Sequence, residues 1–326
     1  MMIRYFMFQV AVSAGFALVA VPAAFAGGNV AVTIEDGDLK VEGDDADNDI
    51  RIECLGDGKY RLSSAAGTRF NGEAGVDVKG VTDDLEVETA GGADTVVITV
   101  PGDVGDVTIA GDDIEIGTGK GGPDTISIHS AAGTRARIVD DLKIDASEGK
   151  AIVRIGSAVD GGSADAVLRV GDDLAIKASN DDDEITVGRA VTINDDLEVR
   201  ARDGDDRISV QGAAGGTATR VGDETKIRAG DGNDTVVLAT ALFDNNVTVE
   251  TGDDDDRVEV AGATFRDRAE VALGDDDDVL SVSGCTFEDD ARFDGGDGTD
   301  ELQAMAASRK NTYLDDVDVE GFDTID

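Results

Sequence analysis

From residue 28 onward the chain is built of short runs in which apolar and polar residues alternate, such as VTVE (247–250), RVEVA (257–261) and RAEVAL (268–273). A period of two puts every second side chain on one face of a strand. Val and Ile dominate the apolar positions, and Gly/Asp clusters separate the runs, so the pattern predicts short strands with one buried face. Helix signals are nearly absent after residue 26. The first 26 residues differ: Arg4, then the apolar run VAVSAGFALVAV, then the small residues Ala24 to Ala26 before Gly27. That order predicts a secretory signal peptide with an A-x-A site, and therefore export to the cell surface, the medium or the periplasm. No later run is apolar enough to cross a membrane.

The alternating runs recur at a fixed interval. RAGDGNDTVVL, ETGDDDDRVEV, ALGDDDDVLSV and DGGDGTDELQA place Gly230, Gly252, Gly274 and Gly296 at steps of 22. Asp231, Asp253, Asp275 and Asp297 keep that step, as do Asp234, Asp256, Asp278 and Asp300 and the apolar Val236, Val258, Leu280 and Leu302. Between these turns Phe243, Phe265 and Phe287 form a further ladder with the same period. Upstream, Asp206, Asp183, Asp124, Asp94 and Asp49 read as the late Asp of looser copies, with Lys150 and Ala151 where one copy lacks it. Segments such as DDLEVET and DDLKIDA precede most of the turns. The wide gap after Asp49 leaves room for one degenerate unit.

Strands this short bury nothing alone, whereas stacked units bury a continuous column. The predicted fold is all-β, a parallel β-helix solenoid of about ten coils, right-handed by the usual preference, occupying residues 27–305. Residues 306–326 form a last coil or cap, and the stretch from Gly28 to about Gly43 covers the other end, because open strand edges invite pairing. Cys54 and Cys285 fall in apolar alternations far apart in such a rod, as small buried residues rather than a disulfide.

Charge sharpens the picture. Asp plus Glu number 71 against 28 Lys plus Arg, a net charge of -43. Such a chain opposes nucleic acid, whose phosphates need clustered Lys and Arg, and attracts cations. Stacking sets carboxylate over carboxylate: two charges ~4.8 Å apart repel by about 0.9 kcal/mol in water and about 3.5 kcal/mol at a dielectric of 20. A divalent cation offers compensation, since Ca²⁺ takes six to eight oxygens. The candidate ligands are Asp231, Asp234, Asp253, Asp256, Asp275, Asp278, Asp297, Asp300 and Asp206. The same residues are also the ones a turn uses to accept backbone N–H groups. The Asp-Asp pairs before the strands, such as Asp83-Asp84 and Asp195-Asp196, read as solvated turns.

GGDGTDELQ (295–303) and AGDGNDTVV (229–237) resemble the nonapeptide repeats of hemolysin-type (RTX) calcium-binding proteins. The resemblance implies Ca²⁺ held between successive loops of a parallel β-roll, with Asp297 and Asp300, and likewise Asp231 and Asp234, as ligands. This chain departs from that pattern in offering one acidic loop per 22 residues and in placing Asp254 or Asp276 where the third glycine falls. The 22-residue coil is more similar to the right-handed β-helix of pectate-lyase-like proteins.

That likeness admits a second function class, a polysaccharide lyase or hydrolase. His129 is the only histidine, no Gly-His-Gly stretch occurs, and Tyr60 and Tyr313 are the only tyrosines after residue 26, so sugar-stacking surfaces are scarce. Arg135 with Arg137, and Arg200 with Arg202, are pairs of the kind that faces an acidic sugar, but each sits among acids that it can balance. The expected function is therefore non-enzymatic: an exported, calcium-binding rod with a structural or surface-interaction role, its partners divalent cations and extracellular polysaccharide or surface protein.

Overall fold

A computed structural model describes residues 27–102, 105–131, 133–156, 167–212, 218–304 and 310–325. The expected signal peptide lies outside them. The described residues contain strands and turns and no helix, and hence none long and apolar enough to cross a membrane.

The chain winds as a parallel β-helix with three strands in each full coil. In one such coil Val247–Asp253 belongs to the first sheet, Arg257–Ala261 to the second and Thr264–Phe265 to the third, before Ala269–Asp275 re-enters the first. Every strand of the coil pairs in parallel with its counterpart in the next. The first sheet stacks eleven such strands, from Asp38–Glu42 to Val317–Glu320. At ~4.8 Å per strand they make a rod about 50 Å long. The third sheet holds nine, from Asp106–Ala110 to Thr312–Tyr313.

Register sets like over like. Val236, Val258, Leu280 and Leu302 stack in the second sheet, and all are buried. The Phe ladder lies in the core: Phe243 and Phe265 stack with centroids 5.2 Å apart, and Phe265 and Phe287 at 4.8 Å. Tyr313 continues the stack beyond Phe287 at 5.0 Å. Cys54 and Cys285 are buried free thiols. Residues 310–325 pair in parallel with the coil before them and form a last coil.

Two expectations need correction. The gap after Asp49 holds no degenerate coil. Lys59–Ser63 folds back antiparallel on Asp49–Gly56, and Gly75–Lys79 pairs antiparallel with Lys59–Ser63. Together with the antiparallel hairpin of Asn29–Glu35 and Asp38–Glu42, they cap that end of the rod. Antiparallel and parallel strands share the period of two, so the alternation was blind to direction. The late Asp of the first copy is also displaced by one residue. Asp49 stands beside Thr95, which puts Asn48 beside Asp94. Asp49 instead accepts N–H groups from Ala65 and Ala66 in the cap.

Candidate functional site: two carboxylate lines along the rod

Acidic turns line both edges of the first sheet. The line leaving it contains the early and late Asp residues. The stacked glycines of these turns have no room for a side chain: Gly252 sits at φ 128°, and a Cβ there would lie 1.7 Å from the Gly230 carbonyl oxygen. Asp254 and Asp276, in place of the third glycine of the nonapeptide, keep the left-handed backbone at φ 78°. Aspartate is among the few residues that visit this region readily.

The structure separates the predicted ligands into two sets. Asp231, Asp253, Asp275 and Asp297 stack in register and are exposed on the outer surface. Asp206, Asp234, Asp256, Asp278 and Asp300 are almost wholly buried, as are Asp94, Asp124 and Asp183 upstream. Each buried Asp binds the coil before it through Oδ1. The N–H of Asp206 donates to Asp234 at 2.7 Å, that of Asp234 to Asp256 at 2.8 Å, that of Asp256 to Asp278 at 2.7 Å and that of Asp278 to Asp300 at 2.9 Å. Asn48 and Ala151 join the ladder only as donors, to Asp94 and Asp183. The residue preceding the buried Asp bonds the opposite way: Asp277 N–H donates to Asp255 Oδ1 at 3.1 Å, and Thr299 N–H to Asp277 Oδ1 at 3.0 Å. Each turn thus ties itself to both neighbours.

The buried set takes the turn-capping role. Oδ2 of Asp94, Asp124, Asp206, Asp234, Asp256, Asp278 and Asp300 is buried without a hydrogen-bond partner, whereas Oδ2 of Asp183 accepts from the Ser179 N–H and hydroxyl. Asp300 Oδ2 faces Gly295, where a Cβ would come within 2.9 Å. Register puts Leu273, Thr251 and Ala229 at that place in the preceding coils. Ala229 and Leu273 bring no side-chain oxygen to this corner, and the Thr251 hydroxyl is engaged with the Leu273 carbonyl at 2.7 Å, which leaves few oxygens to complete a calcium shell. Desolvation instead favours the neutral acid. It pushes Asp234, Asp256 and Asp278 up to about 7, Asp206 up to about 8 and Asp124 up to about 6, each opposed by the N–H bond it accepts.

The second line, entering the first sheet, is the Asp-Asp pairs, which sequence reasoning took for solvated turns. Asp113 N–H donates to Asp84 Oδ1, Asp141 to Asp113, Asp173 to Asp141 and Asp196 to Asp173, all at 3.0 Å. Here carboxylate oxygens of successive coils converge. One oxygen from each of Asp112, Asp113 and Asp140 lies within 4.8 Å of the others, and the same holds for Asp140, Asp141 and Asp172 and for Asp172, Asp173 and Asp195. The crowding has an electrostatic signature, for the hydrogen-bonded Asp172 carboxyl pushes Asp195 up to about 6. Lys143 meets Asp113 at 3.2 Å and Asp141 at 2.9 Å, a local compensation. The Asp-Asp dipeptide recurring before most first-sheet strands was the available signal.

His129 is half-buried, with Nδ1 3.2 Å from Ser127 Oγ, and burial lowers its pKa. Tyr60 is buried in the cap, its hydroxyl donating to the Ile109 carbonyl. The arginine pairs divide. Arg200 bonds Glu198 at 2.6 Å and Arg202 bonds the Ser147 carbonyl at 3.3 Å. Arg135 and Arg137 are exposed on the third sheet and pair with no acid among the described residues. Compared with family models, curated proteins and solved structures, the chain matches none, so its likeness to hemolysin-type repeats rests on the two nonapeptide stretches alone.

Proposed function

We propose that the chain is an exported, non-enzymatic β-helical rod with a structural or surface role, stabilised by divalent cations, Ca²⁺ first among them. The observation that supports this reading best is the convergence of carboxylate oxygens from consecutive coils, as in Asp112, Asp113 and Asp140. The donor set there is all oxygen and partly open to water, which suits a hard cation that keeps some of its waters. Asp231, Asp253, Asp275 and Asp297 form a second exposed row with the same coil-to-coil period, and the nonapeptide resemblance favours calcium there. Cations on both rows would relieve the repulsion of stacked charges.

The test is a melting curve of the protein in calcium, in magnesium and in chelator. Calcium at a hundred times its Kd adds about 2.7 kcal/mol per site, so a calcium-specific rise of several degrees is expected. Asp113→Asn with Asp141→Asn should shrink that rise, whereas Asp256→Asn should leave it. An unchanged midpoint in calcium sinks the proposal.

A further inference from the structure

The third sheet carries the opposite charge from the rest of the molecule. The charged residues in its nine strands are Arg135, Arg137, Arg169, Arg220 and Asp106. Arg220 is held by Asp244. Arg137 and Arg169 are cross-coil partners, and Arg135 lies two residues before Arg137 on the same exposed face. None of these three pairs with an acid among the described residues. Three residues further along the same coils stand Asp140 and Asp172, on the Asp-Asp line. Over these two successive coils a short basic column therefore runs beside an acidic one, one residue of each per coil and ~4.8 Å between coils, bounded by Thr108 and Thr192 in register.

Two such columns side by side are self-complementary under one operation. A two-fold axis parallel to the rod, lying in the contact plane between the columns, sets each basic column against the partner's acidic column with every coil level with its copy. A two-fold across the rod would instead oppose like charges. We propose that this face is an interface between two copies of the chain, packed side by side with parallel axes, Arg137 opposite Asp140 and Arg169 opposite Asp172 of the second copy. The guanidinium fork suits paired recognition of carboxylate, and isologous contacts are the commonest in oligomers. Further along the face Thr192, Leu242, Thr264 and Thr286 are uncharged, and Arg220 between Thr192 and Leu242 is neutralised by Asp244. Repulsion between the net charges falls off within ~8 Å at physiological ionic strength, which leaves local complementarity to decide. Duplex DNA fits the face poorly, since it carries one charge per ~1.7 Å. The contact is narrow, so a weak, concentration-dependent dimer is expected.

This inference does not rest on calcium, although both readings use Asp140 and Asp172. Sedimentation equilibrium of the protein is therefore run at physiological ionic strength in chelator. The wild type is expected to dimerise. Arg137→Asp with Arg169→Asp should weaken the dimer at least tenfold, as should Asp140→Arg with Asp172→Arg, and an equimolar mixture of the two variants should restore association. The mixture makes loss of folding distinguishable from loss of the interface. A wild type that stays monomeric, variants that dimerise like the wild type, or a mixture that fails to associate would overturn the proposal.

Discussion

The backbone N–H of Asp256 donates to Oδ1 of Asp278 one coil further on, 2.7 Å away, and both carboxyl groups are buried. Repeated along the rod, this contact makes the late Asp a tie between coils rather than a solvated turn residue. Deleting the carboxyl in Asp278→Ala orphans the buried Asp256 N–H, at a cost of about 1–3 kcal/mol. Asp278→Asn keeps an acceptor oxygen and removes the charge. The amide variant should therefore match or exceed the wild type at pH 8. Urea melts of the two variants check the order, and an Asn variant as unstable as the Ala variant would refute it.

The same ladder sets an unusual pH dependence. Burial raises the folded-state values of Asp124, Asp206, Asp234, Asp256 and Asp278 to between about 6 and about 8, above the ordinary 3.8. Between those limits the folded chain holds more protons than the unfolded one, so stability falls as pH rises. The stabilisation is fully present below about pH 4 and is lost through pH 6 to 8. Asp49, whose value is lowered although desolvation, the largest influence on it, pushes upward, works in the opposite direction. Net, the protein in chelator should have a higher urea midpoint at pH 4.5 than at pH 8. A midpoint that rises with pH would show that the ladder is ionised at little cost.

How far the sequence announced this structure depends on the kind of information. Coil stacking was legible because the glycine, aspartate, aliphatic and phenylalanine ladders shared one period and period-two alternation fixed which face was buried. Strand direction was not, so the hairpins of residues 59–79 passed for a missing coil. Position within a turn was legible to one residue, the error that exchanged Asn48 for Asp49. Burial of the late Asp was hidden: the letters admitted a metal ligand or an acceptor of backbone N–H groups, and only the N–H of the neighbouring coil shows what satisfies it. The roles of Arg135 and Arg137 depended on spatial neighbours that composition does not give.

Turn glycines and turn aspartates should respond oppositely to exchange. Gly252→Ala forces a Cβ to within 1.7 Å of the Gly230 oxygen at a φ of 128°, a backbone clash that no rotamer relieves, and the cost should exceed about 4 kcal/mol. Asp254→Gly removes a side chain from a left-handed position and one charge from the acidic row. It should stabilise by about 1 kcal/mol. Thermal melts of both variants test the pair, and a destabilised Asp254→Gly would mean that the Asp254 carboxylate has a partner, such as a cation, that outweighs its backbone strain.

The aromatic stack tests whether coils act as nearest neighbours. Phe265 lies between Phe243 and Phe287, at 5.2 and 4.8 Å, with rings inclined by 14° and 3°. Removing it in Phe265→Ala takes a fully buried ring from two contacts at once, and about 3–5 kcal/mol should be lost. In a solenoid each coil touches only its neighbours, so the loss should be felt first by the coils around Phe265. Hydrogen exchange should accelerate at Val249, Val258 and Val271 while Ile98 and Leu85, near the other end, keep their protection. Equal acceleration along the whole rod would mean that the coils unfold as one unit and that a column of stacked side chains transmits local damage over its full length.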